Sequence, residues 1–276
     1  MSEPVKAVET REQATILFCG DSGDGMQLTG NQLTTTSAVY GNDVSTLPDY
    51  PSEIRAPSGS LAGVSAFQLH FASHEIHTPG DNPDVLVAMN PASLRVYLPR
   101  LQPGGVLIAD RDAFTARGLA RAGYDSNPLD DPAIASRYRL HPLPVTTLTQ
   151  QALESLDLKR SVKTRCKNFF ALGLVYWLYA RPLQQSLDWI AEKFARSPDV
   201  AQANRLALQA GYHHGETSEA FDVRWQVEPA PLRPGTDRTR HGTEAAALGL
   251  LTAARLAARP LVYSSYPITP ASEILH

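Results

Sequence analysis

The 276-residue chain is 43% hydrophobic and 19% charged, with 25 Lys and Arg against 28 Asp and Glu. That length allows one large or two modest domains with a substantial core, the near-neutral charge gives no electrostatic footprint for nucleic acid, and no apolar run nears the roughly 18 residues of a membrane span. The N-terminus is polar and lacks a signal-peptide core, so a cytoplasmic protein is expected, and the two cysteines, Cys19 and Cys166, far apart and without a Cys-x-x-Cys, cannot hold a four-cysteine iron–sulfur cluster by themselves.

Residues 14–20 (ATILFCG) are a short apolar run, expected as a buried strand. Gly20-Asp21-Ser22-Gly23-Asp24-Gly25 follows, then a helical stretch to about Tyr40. Strand, glycine turn and helix form a candidate ligand cradle, since glycines admit close backbone approach and a helix start offers free N–H groups. The spacing is not that of the dinucleotide fingerprint. Asp21 and Asp24 argue against a bare phosphate site; they could cap the helix or bind hydroxyl and amide groups, and a plain turn stays open.

Residues 43–48 are expected as a strand and 48–57 as an extended, proline-punctuated loop, long enough to suggest a functional one. Residues 60–72 alternate, with Ser65, Phe67, Leu69 and Phe71 on one face and Val64, Ala66, Gln68 and His70 on the other. Residues 84–89 (DVLVAM) and 106–109 are buried parallel-type strands, the first leading through Asn90-Pro91 into a helix to about Leu101, the second ending at Asp110. These alternating units predict a doubly wound α/β domain whose ligand edge gathers the 20–25 loop, Asn90 and Asp110. His70, His74 and His77 share no ligand spacing with an acid or cysteine, which favours solvated histidines over a metal site.

Residues 117–132 are expected as loop and 138–145 as a further strand, with helices from about 148. Residues 168–180 (NFFALGLVYWLYA) predict a core helix, and 183–194 and 199–213 amphipathic ones. Proline-rich, charged residues 215–240 predict a linker. An alanine-rich helix to about Ala258 follows, then an apolar run, 260–263, expected as a strand. It enters a stiff corner, Ser264-Ser265-Tyr266-Pro267-Ile268-Thr269-Pro270, where two prolines fix the backbone around one threonine. From spacing alone this is either a plain strand–turn–helix connection or a site that aims one hydroxyl.

Tyr266-Pro267-Ile268-Thr269-Pro270, followed by Ser272 and Glu273, resembles the signature of 2-oxoacid:ferredoxin oxidoreductases. Gly20 to Met26 is similar to the acidic form of the glycine loop in that family's gamma domain. Asp49-Tyr50-Pro51-Ser52-Glu53-Ile54-Arg55 is similar to its Tyr-Pro-Ala-Glu-Ile-Arg/Lys stretch, with Ser52 where alanine is usual. The resemblance covers nearly the whole chain and is nearest the 2-oxoglutarate-type alpha subunit. It implies a Rossmann-like gamma-type α/β domain over 1–214, a linker over 215–240, and at 241–276 the beginning of a thiamine-diphosphate pyrimidine-binding α/β domain, the remainder of which is expected elsewhere or lost.

The implied activity is thiamine-diphosphate-dependent oxidative decarboxylation of a 2-oxoacid to acyl-CoA, with electrons passing to ferredoxin. By that analogy Thr269 and Tyr266 are the catalytic positions, Pro267 and Ile268 wall the cofactor, and Ser22, Gly23, Gly25 and Arg55 contact coenzyme A, Arg55 equally fitting a surface ion pair. The diphosphate site, its Mg2+ and a 4Fe–4S cluster belong to a beta subunit, no metal ligand is expected here, and the assembly implied is a dimer of alpha–beta heterodimers with no turnover by this chain alone. The alternatives are a non-catalytic CoA- or nucleotide-binding assembly module, or the same chemistry on pyruvate or another 2-oxoacid.

Overall fold

The structure, a computed structural model, describes residues 6–53, 56–218, 221–233, 235, 240–266 and 271–275. They divide into two units, Met1–Leu232 and Arg233–His276. The strands are β1 (Ala7–Arg11), β2 (Gln13–Asp21), β3 (Asp43–Asp49), β4 (Val64–Ala72), β5 (Val85–Ala88), β6 (Val106–Asp110), β7 (Arg139–Leu143) and β8 (Val223–Val227). The helices of the first unit are α1 (Met26–Tyr40), α2 (Pro91–Tyr97), α3 (Ala116–Ala122), α4 (Pro132–Arg137), α5 (Val145–Ala152), α6 (Arg160–Arg165), α7 (Lys167–Leu178), α8 (Gln184–Lys193) and α9 (Pro198–Thr217); α10 (Gly242–Leu256) lies in the second.

Six strands form one sheet in the order β3-β4-β2-β5-β6-β7. Alternation along each strand divides its side chains between two cores, because successive residues point to opposite faces. Ile16, Phe18, Phe67, Leu69, Phe71, Val85 and Val87 share one core with residues of α1, α7 and α9. Leu17, Cys19, Ala66, Leu86 and Ala88 share the other with residues of α2 and α3. The α/β architecture and the facing of 64–71 are as expected. Helix α7 is buried from Asn168 through Leu178, as its all-round apolar sequence requires. Gly173 and Gly211 let it cross α9 closely: an added Cβ at either would run into the other helix's backbone, at the Leu208 and Phe170 carbonyls. Burying a side chain such as Phe170 or Leu174 contributes roughly 1.5–3 kcal/mol.

The sheet is mixed rather than wholly parallel. β2, β5, β6 and β7 run parallel, while β4 is antiparallel to both β2 and β3. The β3–β4 connection has no crossover helix among its described residues, only a 3-10 turn at Leu61–Gly63, so it can return the chain antiparallel.

Three further expectations differ. Residues 117–132 are not all loop: Thr115 caps α3 through its side chain and Asp131 caps α4. The stretch 215–240 is not all linker, since α9 runs to Thr217 and β8 pairs in parallel with β1, Ala7 opposite Val223. Trp225 and Val227 are buried, and Arg11 stacks over Trp225 at 3.9 Å. In the second unit 260–263 are not a strand; the unit has no other strand among its described residues to pair with. A 3-10 turn, Ala271–Leu275, follows the corner.

Candidate functional site

The carboxyl ends of β2, β3, β5 and β6 bring Asp21, Asp49, Asn90 and Asp110 to one edge of the sheet. The chain turns there from β2 into α1 through Gly25, whose φ of 76° is left-handed, a conformation glycine adopts without the Cβ penalty. Asp21 ties three segments together. Its carboxylate accepts from the Ser58 hydroxyl, from the Gly59 N–H at 2.9 Å and from the Asn90 amide at 2.9 Å. Asn90 can reach it because its own oxygen caps α2, accepting from the Ser93 N–H at 2.8 Å, the cap that Asn-Pro at a helix start supplies. Arg121 further anchors the Ser58 carbonyl at 3.1 Å, and Tyr97 donates to the Asp49 carboxylate. The chain between β3 and β4 is thus tied down at Asp49, Ser58 and Gly59.

Asp24 closes the turn by accepting from the Asp21 N–H at 3.0 Å. It does not cap α1, whose N-cap is Gly25. Lys167, at the start of α7, lies 3.3 Å from Asp24 and 3.9 Å from Asp110. Asp110 is 1% exposed and accepts from the Thr146 hydroxyl at 2.6 Å. Burial pushes its carboxyl above the ordinary range, with Lys167 and Thr146 pulling the other way. Of the two acids in the loop, Asp24 is thereby partly neutralised by the lysine, while Asp21 is engaged by hydroxyl and amide donors.

Beside the glycine loop lies a cleft of about 340 Å³. Gly23, Asp24 and Gly25 form one side, Val162, Arg165 and Cys166 another, and Leu28, Phe169 and Phe194 give it apolar walls. Two buried carboxamides face it, Asn168 at 6% and Asn204 at 4% exposure. The Asn168 oxygen accepts from the Phe169 N–H at 2.9 Å, but its Nδ2 has no hydrogen-bond partner among the described residues and sits against Gly25, 2.5 Å from where a Cβ would be. The Asn204 side chain likewise has no partner among the described residues. Neither amide is among the fully enclosed unpartnered atoms, so these groups reach the cleft, where a ligand could take the place of water on them. Burial raises the Cys166 thiol to about 11, so it is protonated at neutral pH.

Of the residues singled out in the sequence, Gly23 and Gly25 line this cleft. Ser22 is exposed beside it, its N–H donating to the Gly63 carbonyl at 3.1 Å. Tyr266 belongs to the second unit and is 76% exposed. Arg55, Pro267, Ile268 and Thr269 lie outside the described residues. Asn168, Asn204, Arg165 and Lys167 were not singled out. Asparagines in a core helix read as packing; the density of cations at 159–167 was a visible signal. Both ring nitrogens of His70 are engaged, with the Thr78 carbonyl at 2.8 Å and Gln13 at 3.2 Å, and among the described residues no group of three His, Cys, Asp or Glu could hold a metal ion. No described helix is long and apolar enough to cross a membrane.

Comparison with known proteins agrees with this architecture. The chain is 51% identical over 265 residues to the 2-oxoglutarate oxidoreductase subunit KorA of Mycobacterium tuberculosis, covering 96% of this chain and 40% of that relative. It is 33% identical over 107 residues to the 2-oxoglutarate synthase subunit KorC of Methanothermobacter thermautotrophicus, 38% of this chain and 52% of the relative. In fold it is similar to 2-oxoglutarate:ferredoxin oxidoreductase from Magnetococcus marinus, solved with 2-oxoglutarate, coenzyme A and succinyl-CoA bound, with a TM-score of 0.71 and 22% identity over 96% of this chain and 40% of that one. The chain therefore spans about 40% of the length of the first of these relatives. The sequence model of pyruvate ferredoxin/flavodoxin oxidoreductase matches residues 15–214, most of the first unit, and the chain belongs to that family.

Proposed function

We propose that this chain is the alpha subunit, or its N-terminal part, of a 2-oxoglutarate:ferredoxin oxidoreductase, and that its first unit holds coenzyme A for acyl transfer. The carrying observation is the cleft beside the glycine loop, faced by the Asn168 and Asn204 carboxamides, with apolar walls and an arginine at its side. Coenzyme A suits it chemically. Gly23 offers backbone without a side chain, where an added Cβ would meet nothing within 4 Å, so a diphosphate could approach closely. Leu28, Phe169 and Phe194 would cover the apolar parts of the coenzyme, and Asn168 and Asn204 would pair with its amides or adenine edge. Kinship to subunits named for 2-oxoglutarate supports the choice of substrate.

Thiamine diphosphate, when bound, supplies the carbanion-stabilising chemistry; Mg2+ and a 4Fe–4S cluster belong in this reading to the beta subunit. Thr269 would present its hydroxyl beside the reacting centre, with Tyr266, Pro267 and Ile268 as the wall that excludes water. Residues 1–214 act as the coenzyme-associated domain, 215–240 as the join, with β8 inside it, and 241–276 as the start of the pyrimidine-binding part. The partners are a beta subunit and ferredoxin in a dimer of heterodimers, and the compartment is the cytoplasm, where two free buried thiols would stay reduced.

The test is co-expression with a beta subunit and assay of electron-acceptor reduction. Activity should require both 2-oxoglutarate and coenzyme A and vanish for either chain alone. A complex that turns over at the same rate without coenzyme A would overturn the proposal.

A further inference from the structure

A cavity of about 220 Å³ lies on the first unit, away from the glycine loop. Val106 and Arg139, which line it, pair at the start of β6 and β7, and Leu178 at its side ends α7. It therefore sits at the amino ends of the parallel strands, the end of the sheet opposite Asp21, Asn90 and Asp110. Its aromatic walls are held from behind. Phe221 is 4% exposed, packed on Trp177 at 5.9 Å and on His141 at 4.4 Å. Trp225 is 3% exposed, donates its Nε1–H to Glu9 at 3.2 Å and carries Arg11 on its face.

Two side chains of opposite charge, Arg139 and Asp222, also line this cavity. Among the described residues neither makes an ion pair or a side-chain hydrogen bond, and they do not close on each other. His141 lies in the field of both: burial holds its imidazole below the ordinary value, Asp222 draws it up and Arg139 pushes it down. The ring is thus neutral at pH 7 and offers one donor and one acceptor. A plain anion would be opposed by Asp222, and a plain cation by Arg139. A zwitterion satisfies both, its carboxylate taking the guanidinium fork and its ammonium the carboxylate. Phe221, Trp225 and Leu178 then suit an apolar body. The volume is below the roughly 300–1,000 Å³ of drug-sized sites, which limits the occupant to the size of a single amino acid.

We propose that this cavity binds a free α-amino acid with an apolar side chain, of leucine or phenylalanine type, its carboxylate on Arg139 and its ammonium on Asp222. The site is separate from the coenzyme cleft and does not depend on that reading. The test is calorimetric titration of the assembled complex with L-leucine and L-phenylalanine, beside the N-acetyl form of each, which lacks the ammonium, and the amide of each, which lacks the carboxylate. At least one of the two amino acids should bind with a Kd of about 1 mM or tighter, and its blocked forms about tenfold or more weakly than that. Saturating coenzyme A should leave the titration unchanged. Arg139→Gln and Asp222→Asn, both at exposed side chains, should each weaken the amino acid about tenfold or more while melting with the wild type. No saturable binding in that range, a blocked form that binds equally, or competition by coenzyme A overturns the proposal, as does either variant that keeps wild-type affinity.

Discussion

Gly23 and Gly25, two positions apart, should respond to the same substitution in opposite ways. Gly25 has φ 76° and faces the Asn168 amide, whereas a Cβ on Gly23 meets nothing within 4 Å. Gly25→Ala therefore places a methyl in left-handed backbone, at about 1–2 kcal/mol, and pushes the Asn168 amide off the cleft wall. A net loss of roughly 2 kcal/mol is expected, about 4–8 °C in Tm for a unit of this size. Gly23→Ala should stay within about 0.5 kcal/mol of wild type. Coenzyme affinity should divide differently: Gly23→Ala obstructs only an incoming ligand, so it should weaken coenzyme A by tenfold or more, about 1.4 kcal/mol, in a fully stable protein. Gly25→Ala should lose both. Urea denaturation and coenzyme titration on the two variants decide it. A Gly23→Ala protein with wild-type affinity would remove the loop from the coenzyme site, and a fully stable Gly25→Ala protein would refute the turn against Asn168.

The α7–α9 crossing gives a second expectation: Gly211→Ala drives a methyl into the Phe170 carbonyl and should cost about 3 kcal/mol, while Gly249→Ala, in open space on α10, should gain up to about 1 kcal/mol; matched denaturation curves compare them. His141, stacked on Phe221 at 4.4 Å, is held below its ordinary value by burial against the pull of Asp222, and His214 by burial and Lys6. Both bind protons more readily when unfolded, so stability should be complete above the free-histidine value near 6.5 and fall as pH drops through it and on to the lower folded values, by up to about 1.4 kcal/mol per pH unit per proton. A urea-midpoint profile flat between pH 7.5 and 5.5 would contradict this. Asp110 has the opposite sign: its raised folded value means protonation stabilises the fold at low pH and that stability is lost as pH rises through the folded value. Asp110→Asn, neutral throughout, should be more stable than wild type at pH 7 and lose that advantage below about pH 4; the reverse trend in urea midpoints would show that the Lys167 contact outweighs burial.

What could be read in the sequence follows the physics of local signals. The apolar runs of β2, β5 and β6, the alternation of β4 and the all-round apolar α7 announce themselves, because their burial is written into consecutive residues. β1 and β8 do not: Ala7 and Val223 pair across nearly the whole first unit, and polar, proline-flanked segments conceal strands whose partners are so remote. The antiparallel place of β4 depended on a loop without a crossover helix, which composition does not encode. At the site, the glycine loop and the Asn90 and Asp110 edge were legible. The choice of Asp21 as a three-segment clamp was legible only as chemistry, a carboxylate suited to hydroxyl and amide donors. Asn168 and Asn204 were hidden because a polar residue inside a helix pattern acquires meaning only when the facing wall is known.

The central claim is that coenzyme A lies between the 23–25 loop and α6. A density map of the assembled complex with coenzyme A tests it most directly. The account predicts ligand density against Gly23 and Gly25, with the Asn168 and Asn204 carboxamides hydrogen-bonded to it. Coenzyme density elsewhere, with neither carboxamide contacting it, would contradict it.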